Sequence, residues 1–514
     1  MANPITRSSI DITSKGIKYL LFLLLILLNL VLRIPSIPHE KGYDSFYLHS
    51  LANSISIFGD AQWWVHWLSV FGFYAYSYAS AVPYALSGIN QLTSIEMELV
   101  VLVYCTITGI IAIFTSYILA GKISNKFSYK YFVALFFSVA PGVMLFSTWE
   151  VSSRGLFIIF LPLFIYLLLS QMAVSKKTML LLILLVFQFA VHHYGFILLP
   201  IVMLYLFFVL LKKTKYYTKA IELSPYILII MLFALIILPF ISRSLISSGS
   251  RYSWLITSSI TIVRQVGPIA FVAVGGFIYT LFKKNKSTYD LYLLCLLTMF
   301  MPAIYSHIYG AYILLLFIIL FVGPSFVNIV DLNSHKKVVS VFLVTIILVS
   351  VSFTGFFNHY RTGDSESFWY MDDGTYVAGI WGREHIPDNS YGLDTAFQTG
   401  RMFAISEGHP ITPTASAGNL AYGFINESEI EYVEYGFLDK AFYFEGPYTV
   451  KPGTTVSGKM EWLRQTASNI DQLQGFDYFV QDKYYSKPVT FVVDSHYNKI
   501  YDGSRIAIWR DVIT

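Results

Sequence analysis

Charge and sulfur are both scarce in this 514-residue sequence. Only 13% of its residues are Asp, Glu, Lys or Arg, against roughly 25% in an ordinary globular chain, and there are two cysteines. Cys105 and Cys295 lie inside apolar runs, where a thiol behaves as a small hydrophobe. A disulfide framework and a cysteine-ligated zinc site are thereby excluded. No small-residue cleavage site follows the first apolar run, 17–35, so it is expected to be a retained span and not a cleaved signal peptide. What the sequence has in excess is apolar surface: 55% hydrophobic residues, 17% aromatics and a mean hydropathy of +0.59. A water-facing fold cannot bury that much, so most of the chain is expected in lipid.

The remaining charges are unevenly divided. Residues up to about 357 carry 23 Lys and Arg against 10 Asp and Glu, and the remainder carries 12 against 21. Two parts are predicted: an α-helical polytopic membrane region, 1–357, and an acidic extracytoplasmic α/β domain, 358–514. The acidic surplus also disfavours nucleic acid as a partner. A bilayer-crossing helix needs about 20 mostly apolar residues. About eleven runs approach that length, near 17–35, 98–120, 131–148, 155–173, 178–192, 196–211, 225–241, 267–282, 288–305, 309–325 and 338–357. Lysines fall in every second connection, at Lys15 and Lys18, Lys122 to Lys130, Lys176 and Lys177, Lys212 to Lys219, Lys283 to Lys286, and Lys336 and Lys337. By the positive-inside rule this puts the N-terminus in the cytoplasm and the C-terminal domain outside a cell membrane.

On the opposite side the cations change type. Arg33, Lys41, Arg154, Arg243, Arg251 and Arg264 are expected at or near the external face, and an Arg fork suits phosphate or carboxylate. The plain alternative is that these side chains snorkel to headgroups. The first external loop, 36–96, carries Asp44 just beyond the first span. Trp63, Trp64, Trp67 and the Tyr-rich run from Phe73 to Tyr84 follow, and suit interfacial amphipathic helices. A second turn holds Glu150 and Arg154, which would form an i,i+4 pair if helical. A third holds His192 and His193, which could hydrogen-bond a phosphate or an acceptor. The fourth loop, 242–266, sets its arginines among Ser and Thr hydroxyls that can add donors to an anion site.

A long first external loop with an acid after span one, a short second turn with an acid and an Arg, and an outer C-terminal domain together resemble the GT-C superfamily of membrane glycosyltransferases. That superfamily includes the protein O-mannosyltransferases and the catalytic subunit of oligosaccharyltransferase. The segment Pro141 to Leu169, with Ser152-Ser153-Arg154-Gly155, is similar to the corresponding turn and fourth span of the oligosaccharyltransferases. The likeness covers roughly the first 330 residues. There are departures: Asp44 and Glu150 are each single acids, 242–266 contains no acid, and Trp369 to Gly374 is only a loose echo of the acceptor motif.

The resemblance implies a polyprenyl-phosphate-linked sugar donor and a protein, lipid or glycan acceptor. Asp44 and Glu150 then stand as catalytic residues and as the ligands of a divalent cation, Mg²⁺ or Mn²⁺. Arg154, His192, His193, Arg243, Arg251 and Arg264 stand as substrate-binding residues. A carboxylate takes the acceptor's proton while cations hold the departing phosphate, an arrangement that inverts the anomeric centre. A flippase of lipid-linked saccharides, or a non-catalytic assembly protein of the same fold, are the alternatives; the first predicts interrupted helices in paired halves.

Beyond 358 the apolar runs give way to alternation. Strands are expected at 390–394, 476–481 and 490–494, helices at 378–384 and 459–473, and a closing hairpin at 499–509 with Asp502-Gly503 as its turn. Asn426-Glu427-Ser428 matches an external glycosylation triplet.

Overall fold

The computed structural model describes residues 15–59, 79–241, 253–302, 310–332, 337–360, 370–388 and parts of the remainder: 390, 392–394, 397–408, 411–412, 430–432, 448–450, 477–484 and 497–511. Within the described residues each of the eleven apolar runs is mostly helical. Seven are long and apolar enough to cross a membrane: α1 (Lys15–Val31), α4 (Met97–Ile123), α8 (Val174–Val191), the 3-10 turn with α9 (Leu198–Leu211), α10 (Tyr217–Ile241), α14 (Gly310–Leu332) and α15 (Lys337–Tyr360). The count of eleven spans is therefore not reached by helix length alone, and the four shorter runs have visible causes. The run 131–148 breaks into α5 (Phe127–Ser138) and α6 (Pro141–Leu145), because Pro141 occupies the start of a new helix, its favoured position. α11 (Ser253–Val266) and α12 (Ala270–Phe282) bend by 96° at Gly267-Pro268, where Gly267 takes a φ of +90°. α7 (Ser153–Leu169) and α13 (Thr288–Phe300) are apolar but shorter than a span. The chain is a multi-pass membrane protein.

α14 is the centre of the bundle, buried along most of its length and packed on α5, α12 and α13. Small residues allow this: a side chain on Gly276 would strike the Phe321 carbonyl, so glycine lets two backbones approach closely. α1 lies at the rim, with Tyr19, Leu20, Leu23 and Leu27 exposed.

Two further helices, α2 (Tyr43–Phe58) and α3 (Ala81–Thr93), lie in the first loop; the Trp63, Trp64 and Trp67 cluster between them is outside the described residues. The C-terminal part begins with α16 (Asp373–His385), followed by β1 (Gly392–Asp394), α17 (Phe397–Ile405) and β2 (Ile411–Thr412). β5 (Tyr478–Asp482), β6 (Tyr497–Asp502) and β7 (Ile506–Asp511) complete a five-stranded mixed sheet of order β2-β1-β5-β7-β6. β1 runs parallel to β2 and β5, and β7 antiparallel to β5 and β6. A separate pair, β3 (Ile430–Tyr432) and β4 (Tyr448–Val450), is antiparallel. The expected strand at 490–494, the helix at 459–473 and Asn426 lie outside the described residues.

The closing hairpin turns at Ser504-Arg505, not at Asp502-Gly503, since the Gly503 amide donates to the Ile506 carbonyl. Arg505 explains the placement: it is buried and bridges Asp372 at 2.8 Å and Asp482 at 3.1 Å. Asp372 also accepts from the Thr375 amide and caps α16. In the loose acceptor-motif echo, then, Asp372 has a structural partner.

The first loop and the C-terminal part are stitched together. Met371 N donates to the Glu40 carbonyl, Asn53 Nδ2 to the Ala404 carbonyl, and Phe46 packs with Met371, Ala404 and Ile405. His39 spans the junction, 3.0 Å from Glu98 and 3.1 Å from Asp373, with its ring stacked on Tyr376. Burial alone would lower the His39 pKa, but the hydrogen bonds and charges of Glu98 and Asp373 outweigh it and raise it above 6.5. The folded form therefore holds the proton more tightly than the unfolded chain. Its contribution to stability is complete below about pH 6.5 and is lost as pH climbs through the raised value. Hydrogen exchange at 370–376 is expected to quicken across that interval, and His39→Phe should remove this dependence. An unchanged pH response in the variant would exclude His39 as the cause.

Candidate active site

Asp44 lies in the first turn of α2 and Arg154 in the first turn of α7, 110 positions apart. Arg154 Nη2 reaches Asp44 Oδ2 at 2.7 Å, and Ser152 Oγ donates to the same oxygen at 2.8 Å. Asp44 Oδ1 has no partner among the described residues. Both side chains keep some exposure, 31% for Asp44 and 16% for Arg154, so the pair faces an opening rather than the core.

The local sequence explains the geometry. Ser152 is the N-cap of α7 and accepts from the Arg154 amide, the usual role of serine before a helix. An acid in the first turn of α2 agrees with that helix's dipole, whereas a cation in the first turn of α7 opposes its dipole by roughly 0.3–1 kcal/mol. Asp44 offsets that cost. Two helix N-termini thus open on one spot, which together with a guanidinium favours an anion.

The turn 146–152 is fastened by three more bonds, two to 40–46 and one to the start of α4. Lys41 N donates to the Trp149 carbonyl, Val151 N to Ser45 Oγ, and Trp149 Nε1 to the Glu98 carbonyl. Trp149 takes a φ of +52°, a strained conformation for a bulky residue. Glu150 precedes α7, so the continuous helix that would space it i,i+4 from Arg154 does not form; it is buried and packs against Gly42. A side chain at Gly42 would come within 2.5 Å of Glu150 Cγ, on a backbone with φ +90°. Gly42→Ala is therefore expected to destabilise this junction by about 1–3 kcal/mol and to displace Glu150. A thermal-melting comparison with Gly88→Ala, where a side chain meets open space, checks it.

Other expected site residues are placed differently. His192 is buried beside Phe157, one turn after Arg154, and its Nδ1 accepts from the Tyr194 amide. The His193 side chain, Arg243 and Arg251 lie outside the described residues. Arg264 is exposed in the last turn of α11 and makes no hydrogen bond or ion pair with Asp44, Glu150 or Arg154. Arg33 does not snorkel: it is buried, bonded to the Asn29 carbonyl and Oδ1, the Ser138 carbonyl and Ser147 Oγ. Lys41 is also buried, its Nζ 3.4 Å from Asn358 Oδ1.

For the implied divalent cation, the donor set falls short. Asp44 Oδ2 is already occupied by Arg154 and Ser152, and no three His, Cys, Asp or Glu side chains converge among the described residues. These residues do not make a metal site, and a cation at Asp44 would compete with Arg154.

Sequence reasoning missed Gly42, Ser45, Ser152 and the His39–Glu98 and His49–Glu40 pairs, the last at 2.6 Å and fully buried. Ser152 alone had a readable signal, as a serine ahead of an apolar helix. Gly42, Ser45 and the His39–Glu98 pair are defined by contacts between segments about 60 to 110 residues apart or by backbone conformation, and the His49–Glu40 pair, 9 positions apart, by how Glu40 folds back on α2.

No model of a known protein family matches the chain, and no curated protein matches it. Solved structures do. The oligosaccharyltransferase of Archaeoglobus fulgidus is similar with a TM-score of 0.60 at 14% identity, over 91% of this chain and 70% of that one. That protein has also been solved with zinc and sulfate, and with an inhibitory peptide and a dolichol-phosphate. ArnT from Cupriavidus metallidurans bound to undecaprenyl phosphate gives 0.54 at 8% identity, over 98% and 99%. The mycobacterial arabinofuranosyltransferase AftD gives 0.51 at 12%, over 97% of this chain and 41% of that one. The chain has the GT-C fold.

Proposed function

We propose that this chain is a membrane glycosyltransferase that moves a sugar or oligosaccharide from a polyprenyl-phosphate donor to an acceptor on the side of the outer domain. The observation that carries the proposal is the Asp44–Arg154 pair, assembled from two helix N-termini at the end of the membrane helices. The acceptor hydroxyl or amide attacks the anomeric carbon and its proton passes to Asp44 Oδ1. The bond from that carbon to the phosphate oxygen breaks, and the polyprenyl phosphate leaves with the bonding electrons. Arg154 and the N-terminal amides of α7 neutralise the growing charge on that phosphate. With base and leaving group on opposite faces of the sugar, the configuration inverts. Glu150 shapes the floor behind Gly42, and His192 supports α7 through Phe157.

The likeness to proteins solved with dolichol-phosphate and undecaprenyl phosphate supports a lipid-linked donor. The lysine alternation supports a cytoplasmic N-terminus, a membrane part ending near 357 and an outer part from 358. The test is incubation of the purified protein in lipid nanodiscs with labelled polyprenyl-phosphate sugars and peptide, lipid and polysaccharide acceptors. Labelled product of inverted configuration is expected; absence of transfer to all three acceptor classes would refute the proposal.

A further inference from the structure

We infer that a cavity behind α2, at the junction of the first loop and the outer part, is a subsite for one neutral sugar residue of a glycan substrate. The inference rests on the glycosyl-transfer proposal for its substrate class, but concerns a place apart from the reacting pair. The cavity measures about 250 Å³, opens on one side, and is bounded by α2, the α3–α4 connection, α16 and α17. Its α2 wall is His49, Asn53, Ser56 and Ile57. At about 100° and 1.5 Å per residue, that stripe is turned roughly 120–220° from Asp44, and Asn53 lies about 13 Å further along the helix axis. A ligand here cannot be the sugar undergoing transfer.

Backbone strain marks the same place. Among the described residues three non-glycine positions have positive φ: Ser94 at 57°, Trp149 at 52° and Glu407 at 54°. Trp149 belongs to the reaction turn; Ser94 and Glu407 both line this cavity. Ser94 is the left-handed C-cap of α3, its amide donating to the Asn90 carbonyl, an ordinary helix end. Glu407 is therefore the position beside the cavity whose conformation its surroundings impose.

The lining selects the ligand. Arg383 is paired with Glu407 at 2.8 Å and Glu98 with His39 at 3.0 Å. Glu96 meets only the Tyr376 hydroxyl among the described residues, at 3.4 Å. An anion would face these carboxylates, and among the described residues no three acids converge to hold a metal ion. Amides from Asn53 and Asn90 alternate with Ile57 and Ile380, a mixture that suits a ring with hydroxyl edges and C–H faces. The volume lies just below the usual range for ligand pockets, about 300–1,000 Å³, so it admits one ring rather than a chain. Contacts made this far from the reacting atoms supply binding energy that positions the substrate.

The experiment is ligand-observed NMR on the full chain in nanodiscs with methyl glycosides of glucose, mannose, galactose and N-acetylglucosamine. At least one is expected to bind. Ile57→Trp, which fills the cavity from a half-exposed position, should abolish that signal without lowering the melting temperature. Glu96→Gln should weaken it by about tenfold, the loss of one charged hydrogen bond. Asp44→Asn should leave it intact, so that binding is read separately from transfer. No binding by any of the four glycosides, or binding unaffected by both cavity variants, overturns the inference. Binding of sugar phosphates in preference to neutral glycosides overturns it as well.

Discussion

Asp44→Asn is expected to lower transfer by about 10²–10⁴-fold, the usual contribution of a positioned general base. The amide has the shape of the carboxylate and can still accept the Ser152 hydroxyl, but it cannot take a proton from the acceptor. Loss of the partly exposed pair with Arg154 costs no more than about 1 kcal/mol of stability, so helix content and melting temperature should change little. The variant should still bind the polyprenyl-phosphate donor, because the proposed mechanism assigns the phosphate to Arg154 and the α7 amides. A folded Asp44→Asn protein that transfers sugar at the wild-type rate would remove the proposed base.

Arg154→Gln is expected to lower kcat by about 10²–10³-fold, the scale of removing one preorganised charge from a developing anion. Arg154→Lys should fall between, since an ammonium keeps the charge and loses the planar fork. Inhibition by free polyprenyl phosphate separates this role from a structural one. It should weaken in Arg154→Gln and stay unchanged in Asp44→Asn. Because the two residues act on one transition state, the double variant should be little worse than Asp44→Asn alone. Additive losses would assign them to separate steps. An Arg154→Gln protein with wild-type kcat and wild-type product inhibition would place the phosphate elsewhere.

The two residues in these experiments were both named from sequence and expected at one site, as base and phosphate-binding cation; the direct bond between them is what the structure adds. The sequence analysis joined Arg154 to Glu150 by helical spacing, and the structure joins it to Asp44, because α7 begins at Ser153 and leaves Glu150 outside the helix. Arg33 shows the same limit. Its place at the end of an apolar run suggests a headgroup contact. In the fold, Gly109 on α4 leaves the space that its guanidinium fills, and Asn29, Ser138 and Ser147 supply the acceptors. No local pattern announces a slot made by four segments.

The hairpin at 499–509 was legible as a hairpin through its alternation and its turn residues. Its actual turn was set by Arg505, which reaches two aspartates on other elements.

Apolar content and the length of the runs determined by themselves that the chain would be helical in lipid, and the loss of apolar runs beyond 358 that strands would follow. Each of these follows from the cost of exposing hydrocarbon to water or a backbone to lipid, and is summed along the chain. Only the tertiary structure decided which acid meets which base, where glycine is obligatory, and that a polar cavity opens behind α2. Those outcomes depend on the approach of segments about a hundred residues apart, where an ångström of displacement makes or removes a hydrogen bond.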